Sequence, residues 1–247
     1  MGLGATIVVG GGLSGLVRAH VLARRSEEVY VLEASGRAGG VVRTEKADGY
    51  LLELGPNTVR PTPEIWGLVE ELGLAGSALL ADPRLPRFVE LEGKLHRLAP
   101  GPQTLLLTRL LSPLGKLRLL AEPFVRSGTE PRESVRAFFA RRLGWQVADR
   151  LVAPFVSGIW AGDADRLSAA SVFPVLKRWE IEHGSLLRGA LSRRPRHEGS
   201  SRPVPRGLLS FSEGLETLPR ALADRLGPRL RTESPVRTLK PDGKGWR

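Results

Sequence analysis

Ala5-Thr6-Ile7-Val8-Val9-Gly10-Gly11-Gly12-Leu13-Ser14-Gly15 decides how the rest of the chain is read. An apolar run enters a glycine turn, and an apolar-periodic segment follows at Leu16, Val17, Ala19, His20, Val21 and Leu22. A second apolar run, Val29-Tyr30-Val31-Leu32, ends on Glu33. Strand, glycine turn, helix, strand and acid stand in the order a dinucleotide site needs. Gly10 allows the tight turn after the strand, Gly12 lets the backbone approach a pyrophosphate, and Gly15 lets the helix pack closely on the sheet. The helix N-terminus offers free N–H groups and a partial positive charge. Glu33 lies 18 residues past Gly15, placed to accept hydrogen bonds from ribose hydroxyls.

NAD, NADP and FAD all answer to that fingerprint. The acid at position 33 argues against NADP, whose extra phosphate it would repel. Directly after it comes Ala34-Ser35-Gly36-Arg37-Ala38-Gly39-Gly40-Val41-Val42-Arg43-Thr44, an acid followed by R-x-G-G and then R-T. This pattern resembles the second flavin motif of the FAD-dependent oxidases and desaturases. Arg37 can pair with phosphate or ribose oxygens, and Gly39-Gly40 lets backbone approach a flavin with no Cβ in the way.

Composition narrows the class. The 247 residues suffice for one large domain or two small ones, and 41% hydrophobic with 26% charged residues is ordinary for a soluble globular protein. No run approaches the roughly 18 apolar residues of a membrane-spanning helix. Met1-Gly2-Leu3-Gly4 leads directly into the first strand, without a signal peptide's n-region and h-region. The absence of cysteine removes disulfides, thiolate metal sites and a cysteine nucleophile. The expectation is a cytoplasmic protein. The net charge is +11, and Lys supplies only 6 of the 37 Lys and Arg residues. The arginines are dispersed, aromatics are 6%, and no stacking platform or recognition motif is present, so nucleic acid is not expected. Anionic lipid or a polycarboxylate substrate fits the charge better.

Along the chain, residues 1–84 read as α/β. Asp48-Gly49-Tyr50 is a turn into a short strand at Leu51–Leu54, then Gly55-Pro56-Asn57-Thr58, and a helix runs over Pro63–Leu72, closed by Gly73. Arg87–Leu91 and Lys94–Leu98 flank Glu92-Gly93 as a hairpin. From 102 to 192 the pattern predicts helices: leucine-rich Leu105–Leu120, then Glu133–Leu143 and Gln146–Val156. Arg193–Arg206 is a basic, proline-containing loop, and Leu208–Phe211 precedes a helix to Leu226. Val236–Leu239 reads as a strand, Pro241–Gly245 as a turn, and Trp246-Arg247 as the start of a return strand. An arm that short cannot complete a ladder, so the expectation is the N-terminal part of a longer protein.

Further blocks carry a family resemblance. They are Gly55-Pro56-Asn57-Thr58 after Tyr50-x-x-Glu53, the 86–95 hairpin, Ser157-Gly158-Ile159-Trp160-Ala161-Gly162-Asp163, Leu167-Ser168 and Phe173-Pro174. Glu182–Ser185 and Ser212-Glu213-Gly214-Leu215-x-x-Leu218-Pro219 add to them. The chain resembles the protoporphyrinogen oxidases, within the flavin amine oxidase and phytoene desaturase superfamily, collinearly from end to end.

The resemblance implies an α/β, Rossmann-like FAD-binding domain, C-terminally incomplete. Residues 1–85 and 203–247 would form it, interrupted by a mainly helical insertion over 86–202 associated with the membrane surface. FAD would be held by Gly10, Gly11, Gly12, Leu13, Ser14, Gly15, Glu33, Ala34, Arg37, Gly39, Gly40, Val41, Gly55, Pro56, Asn57 and Thr58, with Val236 near the adenine. Arg87 falls where the family pairs an arginine with a porphyrinogen propionate, and Gly158 where a glycine carbonyl faces the tetrapyrrole. The implied reaction is oxidation of protoporphyrinogen IX to protoporphyrin IX by FAD with dioxygen as acceptor, in heme biosynthesis. Coproporphyrinogen III, another amine oxidase or desaturase activity, and an inactive flavin-binding fragment are the alternatives. The expected partners are a porphyrinogen, dioxygen and an anionic membrane surface at the inner face of the cell membrane, with room for a homodimer.

The protein's part in such chemistry is binding, orientation and charge placement. No catalytic side chain and no metal site are assigned. His20 is expected to pack on the first helix, His183 and His197 lack ligand-spaced partners, and Asp163 and Asp165 read as turn and cap residues.

Overall fold

The structure, a computed structural model, describes residues 5–98, 107–128, 130, 132–192, 203–243 and 245–246. The chain opens with β1 (Thr6–Val9), α1 (Leu13–Arg24) and β2 (Val29–Leu32), then β3 (Thr44–Ala47), β4 (Tyr50–Glu53), α2 (Pro63–Glu71) and β5 (Ala78–Leu80). A hairpin of β6 (Arg87–Leu91) and β7 (Lys94–Leu98) follows. Next come α3 (Pro113–Leu120), α4 (Val135–Leu143), α5 (Trp145–Val147), a π-helical turn at Ala148–Val152 and α6 (Ala153–Trp160). The helices continue with α7 (Ala169–Val172), α8 (Pro174–His183) and α9 (Leu186–Ser192). The chain closes with β8 (Leu209–Phe211), α10 (Thr217–Leu226), β9 (Leu230–Arg231), β10 (Pro241–Asp242) and β11 (Gly245–Trp246). Two compact units result: Met1–Pro83 with Ser200–Arg247, and Arg84–Gly199.

In the first unit β1, β2 and β9 form a parallel sheet in the order β1-β2-β9. Thr6 pairs with Val29 and Val31 with Leu230, so α1 is the crossover that returns the chain beside β1. Leu16, Ala19 and Leu22 bury one face of α1 with Val29 and Val31 of β2. Leu218, Leu222 and Leu226 of α10 join the same core at helical spacing. Helix α2 begins where the sequence places it, with Pro63 at its first position and the Thr62 hydroxyl accepting from Ile65 N at 3.3 Å.

The two sequence segments of this unit are tied by β5–β8 pairing, a Val59–Leu209 bridge and a carboxylate clasp. Glu53 accepts from the Thr44 hydroxyl (2.8 Å) and from Leu215 N (2.7 Å), while Glu216 accepts from Thr44 N (2.8 Å). Gly214, at φ +89°, lies where any Cβ would strike Thr44.

The sequence reading of the ends needs two corrections. Strand β3, which pairs Thr44 with Glu53, starts on the last residue of the flavin motif and fills the gap before the Asp48 turn, where no element is expected. Val236–Leu239 is not a strand: β9 already occupies the place beside β2, and the chain leaves it held by Glu233 N on Ser35 O and Ser234 N on Glu33 O. The terminal pairing is Pro241 with Trp246 and Asp242 with Gly245, so the first arm is β10 rather than 236–239.

The second unit holds the expected β6–β7 hairpin, with Leu91 opposite Lys94 and positive φ at both Glu92 and Gly93. That backbone matches strand twist in a two-residue turn. The leucine-rich segment is not one helix. Among its described residues α3 starts only at Pro113, where Ser112 Oγ caps Gly115 N at 3.1 Å, and Leu110 and Leu111 are buried before it. Residues 99–106 and 193–202, including parts of the expected leucine helix and basic loop and His197, lie outside the described residues. The 146–156 helix begins earlier and ends later: α5, the π turn and α6 run from Trp145 to Trp160. Val135, Phe138, Phe139, Val147, Val156, Ala169 and Leu186 form the core.

A charged cluster is buried in this unit. Glu122 and Arg142 are fully buried and ion-paired, and Glu122 also accepts from Ser185 Oγ (2.6 Å) and Leu186 N (2.8 Å). Arg141 bonds Glu133 (2.8 Å) and Glu180 (2.7 Å), and Lys177 bonds the same two carboxylates. Burial works against the charge on Glu122, yet Ser185, the backbone N–H groups of Leu186 and Leu187 and Arg142 hold its carboxyl below the usual range. Glu133 and Glu180 are lowered likewise, against burial, by Arg141 and Lys177. Among the described residues no helix is long and apolar enough to cross a membrane.

Candidate functional site

Three glycines of the first turn have three different reasons to be glycine. Gly10 has φ +98°, the left-handed region that a Cβ disfavours. Gly15 stands against the turn before it, where a Cβ would lie 2.0 Å from the Gly10 carbonyl oxygen. Gly12 has ordinary extended backbone (φ −68°, ψ 170°), and its Cβ would meet nothing nearer than the Gly40 Cα at 3.9 Å. The fold therefore requires glycine at 10 and 15 and not at 12. What would require it at 12 is a group approaching from outside.

That approach is the N-terminus of α1. Gly12 is its cap residue, no side chain caps the helix, and its first turn contains no acid. Leu16 N reaches back to the Gly12 carbonyl, so the preceding N–H groups, at Leu13, Ser14 and Gly15, lie outside the helix ladder. Such an end favours a phosphate.

Glu33 closes the turn at the tip of β2. One carboxylate oxygen accepts from Gly11 N at 2.7 Å, the other from Ser35 N and Ser35 Oγ at 2.8 Å each. The Ser35 backbone and hydroxyl donors, aided by Gly11, hold the carboxyl below its usual range, so it is ionised at neutral pH. A carboxylate has about four acceptor positions, which leaves capacity for a ligand hydroxyl. The latch onto Gly11 was not legible in the sequence, because the spacing puts the acid near the ribose and says nothing of the loop.

The R-x-G-G segment docks on the same turn. Gly39 N donates to Gly11 O at 2.8 Å, and a Cβ on Gly40 would sit 3.0 Å from the Gly12 Cα. Gly55 crosses Val41 so closely that a Cβ would be 1.9 Å from the Val41 carbonyl oxygen. Gly10–Gly15, Glu33, Ala34, Gly39–Val41 and Gly55 are thereby drawn together. Pro56 and Asn57 continue from Gly55 in an exposed loop, and the Thr58 hydroxyl donates to Asn57 at 3.1 Å. Val236 is half-buried, two residues past the Ser234 N–H that donates to Glu33 O.

Arg37 is held by its own loop. Its guanidinium donates to the carbonyls of Gly40 (2.6 Å), Ala38 (3.1 Å) and Val42 (3.3 Å) and lies 3.8 Å from Glu216. It braces the glycine pair through three local carbonyls, with Glu216 of the later segment beside it.

The two residues expected on the substrate side lie in the second unit. Arg87 begins β6, is exposed, and makes no side-chain hydrogen bond or ion pair among the described residues. Gly158 is on the exposed side of α6, with nothing within 4 Å of a built Cβ. His20 is buried against Glu71 at 2.9 Å, and His183 meets Ser192 Oγ at 3.0 Å. Asp163 accepts from Asp165 N at 2.9 Å, and Asp165 pairs with Arg136, turn chemistry and not an acid/base pair. Among the described residues no group of three or more His, Cys, Asp or Glu is placed to hold a metal.

The family of flavin containing amine oxidoreductases matches residues 13–247. The chain belongs to this family. Its cofactor is FAD, and the glycine turn with Glu33 fits that group: a helix end for the pyrophosphate, a position at Gly12 that a Cβ would fill, and an ionised carboxylate for the ribose.

The chain is 38% identical over 256 residues to the chloroplast protoporphyrinogen oxidase of Oryza sativa subsp. japonica, covering 97% of this chain and 48% of that protein. It is 32% identical over 233 residues to the coproporphyrinogen III oxidase of Bacillus subtilis (strain 168), covering 86% and 49%. A solved structure of a candidate protoporphyrinogen oxidase from Exiguobacterium sp. 255-15 superposes with TM-score 0.70 at 26% identity, over 100% of this chain and 56% of that one. The cyclohexylamine oxidase of Brevibacterium oxydans IH-35A shares the fold at TM-score 0.65 and 19% identity, over 100% and 54%. The chain spans about half the length of the curated relatives it matches.

Proposed function

We propose that this flavoprotein acts in the oxidation of protoporphyrinogen IX to protoporphyrin IX, with dioxygen as the final acceptor, in heme biosynthesis. The observation that carries the reading is the extent of likeness: relatives named for porphyrinogen oxidation align over 97% and 86% of the chain. Bound FAD supplies hydride acceptance. The chain's own work is to bind and orient. The α1 N-terminus and Glu33 hold the cofactor's pyrophosphate and ribose. The unpartnered Arg87 guanidinium offers a planar fork for a propionate carboxylate, and α6 offers open backbone at Gly158 for a flat ring.

Coproporphyrinogen III is the second reading, favoured by the Bacillus subtilis relative. Peripheral contact with an anionic membrane belongs to the same proposal. Helix α3 and the turn after it expose Leu114, Leu117 and Phe124 beside Lys116 and Arg126. The test reconstitutes purified protein with FAD and supplies protoporphyrinogen, coproporphyrinogen or putrescine in air. Porphyrin fluorescence rising above the spontaneous rate, only with FAD present, supports the proposal. Amine turnover without porphyrinogen turnover contradicts it.

A further inference from the structure

β9 lies parallel to β2, so the two strands end on the same edge of the sheet. Ligands of open α/β sheets sit outside the carboxyl ends of the strands, and Glu33 marks that edge on β2. Beside it, just past β9, the chain turns at Glu233 with φ +52°. That left-handed backbone suits glycine, or asparagine among residues with a side chain. The turn is fastened to β2 through the main chain. Glu33 N donates to Arg231 O at 2.9 Å, Glu233 N to Ser35 O at 3.0 Å and Ser234 N to Glu33 O at 2.8 Å.

The Glu233 side chain takes no part in this fastening. Its carboxylate is exposed and makes no hydrogen bond or ion pair among the described residues. Arg231, two residues earlier, stands over the Tyr30 ring at 5.0 Å instead. Glycine would serve the turn with less strain, and no protein group accounts for a carboxylate there.

Its place does account for it. One Glu233 carboxylate oxygen lies 4.0 Å from the position a Gly36 Cβ would take, and no other atom from outside Ser35–Arg37 comes that near. Gly36 follows Ser35, whose N–H and hydroxyl hold Glu33. A carboxylate has about four acceptor positions. On Glu33 the donors Gly11 N, Ser35 N and Ser35 Oγ fill three of them, which leaves one. An adenosine ribose brings two hydroxyl donors, so Glu33 is one acceptor short. The Glu233 carboxylate, with every acceptor position open, stands beside Gly36 on the same edge.

We propose that Glu233 is the second acceptor for the adenosine ribose of FAD, taking the hydroxyl for which Glu33 has no free position. This role holds whatever substrate is oxidised, and rests only on the ribose lying at Glu33.

The test is calorimetric titration of flavin-free protein with FAD and with FMN, alongside its thermal melt. Glu233→Gly and Glu233→Asn should each raise the Kd for FAD about tenfold and leave the Kd for FMN at the wild-type value. Glu233→Gln keeps an acceptor oxygen without the charge and should fall between. Without flavin, Glu233→Gly should melt no lower than wild type, because glycine accepts the left-handed turn. FAD built with 2′-deoxyadenosine or with 3′-deoxyadenosine identifies the hydroxyl: one of the two should bind wild type and Glu233→Gly alike. Should Glu233→Gly not fold, Glu233→Asn decides the matter. Wild-type FAD affinity in the Glu233 variants, with Glu33→Gln weakened, makes Glu233 a turn residue and overturns this proposal alone. Wild-type affinity in Glu33→Gln as well removes the ribose from this edge and overturns both assignments. An equal loss of FMN and FAD, or a loss that persists with both deoxy analogues, also overturns the role given to Glu233.

Discussion

Gly12→Ala and Gly15→Ala change the same residue type three positions apart and should fail in opposite ways. At position 15 the new Cβ would lie 2.0 Å from the Gly10 carbonyl oxygen and 3.4 Å from Val8, so α1 must move off β1. Overpacking of that kind costs about 1–3 kcal/mol or more, and the flavin-free protein should melt several degrees lower. At position 12 the backbone is already extended and the new atom sits 3.9 Å from the Gly40 Cα, an ordinary contact. The flavin-free protein should melt at or slightly above wild type, since alanine restricts the unfolded chain by about 0.4–1 kcal/mol. FAD affinity, however, should fall, because the methyl occupies the space the pyrophosphate needs. An intruding carbon worth about 1–3 kcal/mol corresponds to a roughly five- to 150-fold rise in Kd. Differential scanning fluorimetry on flavin-free protein and titration by flavin fluorescence give the two readouts. Gly12→Ala binding FAD as wild type, or Gly15→Ala melting as wild type, would refute the division of roles.

Glu33→Gln should weaken FAD binding by about 1.5–3 kcal/mol, as charge-assisted bonds to the ribose and the Gly11 latch are lost together; an unchanged Kd by titration would place the ribose elsewhere. Because the Glu33 carboxyl is held below its usual range, its contribution is complete at neutral pH and fades as pH falls through that lowered value. FAD affinity measured from pH 7 downward should stay flat through the ordinary carboxylate range in wild type. Glu122→Gln removes one of the two carboxylates beside the buried Arg142 and leaves only Glu180 at 3.7 Å, and urea unfolding should show a loss of about 3 kcal/mol; a loss under about 1 kcal/mol would show that Glu180 or water replaces the lost charge. Glu122, Glu133 and Glu180 all have lowered pKa values, so their stabilisation is present above the ordinary carboxylate range and is lost as pH falls through the folded values. The melting temperature should therefore drop steeply in acid, and Glu133→Gln should flatten that drop.

The parts of the fold set by neighbours in sequence were legible. The β1–glycine–α1–β2 unit announces itself because turn, helix and strand each need particular residues at fixed offsets, and the 87–98 hairpin because Glu92-Gly93 suits positive φ. What escaped was made at long range. The Glu53 and Glu216 clasp joins residues more than 160 positions apart, and the Glu122–Arg142 pair acquires its partners only after the helices pack. Arg37 reads from its motif as a partner for phosphate or ribose oxygens, and its bonds to three local carbonyls were not legible there. The leucine-rich run carries no period that marks Pro113 as a start until Ser112 is seen capping Gly115. Val236–Leu239 has strand-like residues and no edge to pair with, because β9 takes the place beside β2.

The central claim is that FAD is held at both ends of this turn, pyrophosphate on the α1 N-terminus and adenosine ribose on Glu33. Comparing FAD with FMN, which lacks the second phosphate and the adenosine, tests it most directly. Isothermal titration of flavin-free protein should show stoichiometric FAD binding, FMN weaker by at least about tenfold, and Glu33→Gln narrowing the gap between them. Equal affinity for FMN and FAD, or a preference for FAD that Glu33→Gln leaves intact, would contradict the account.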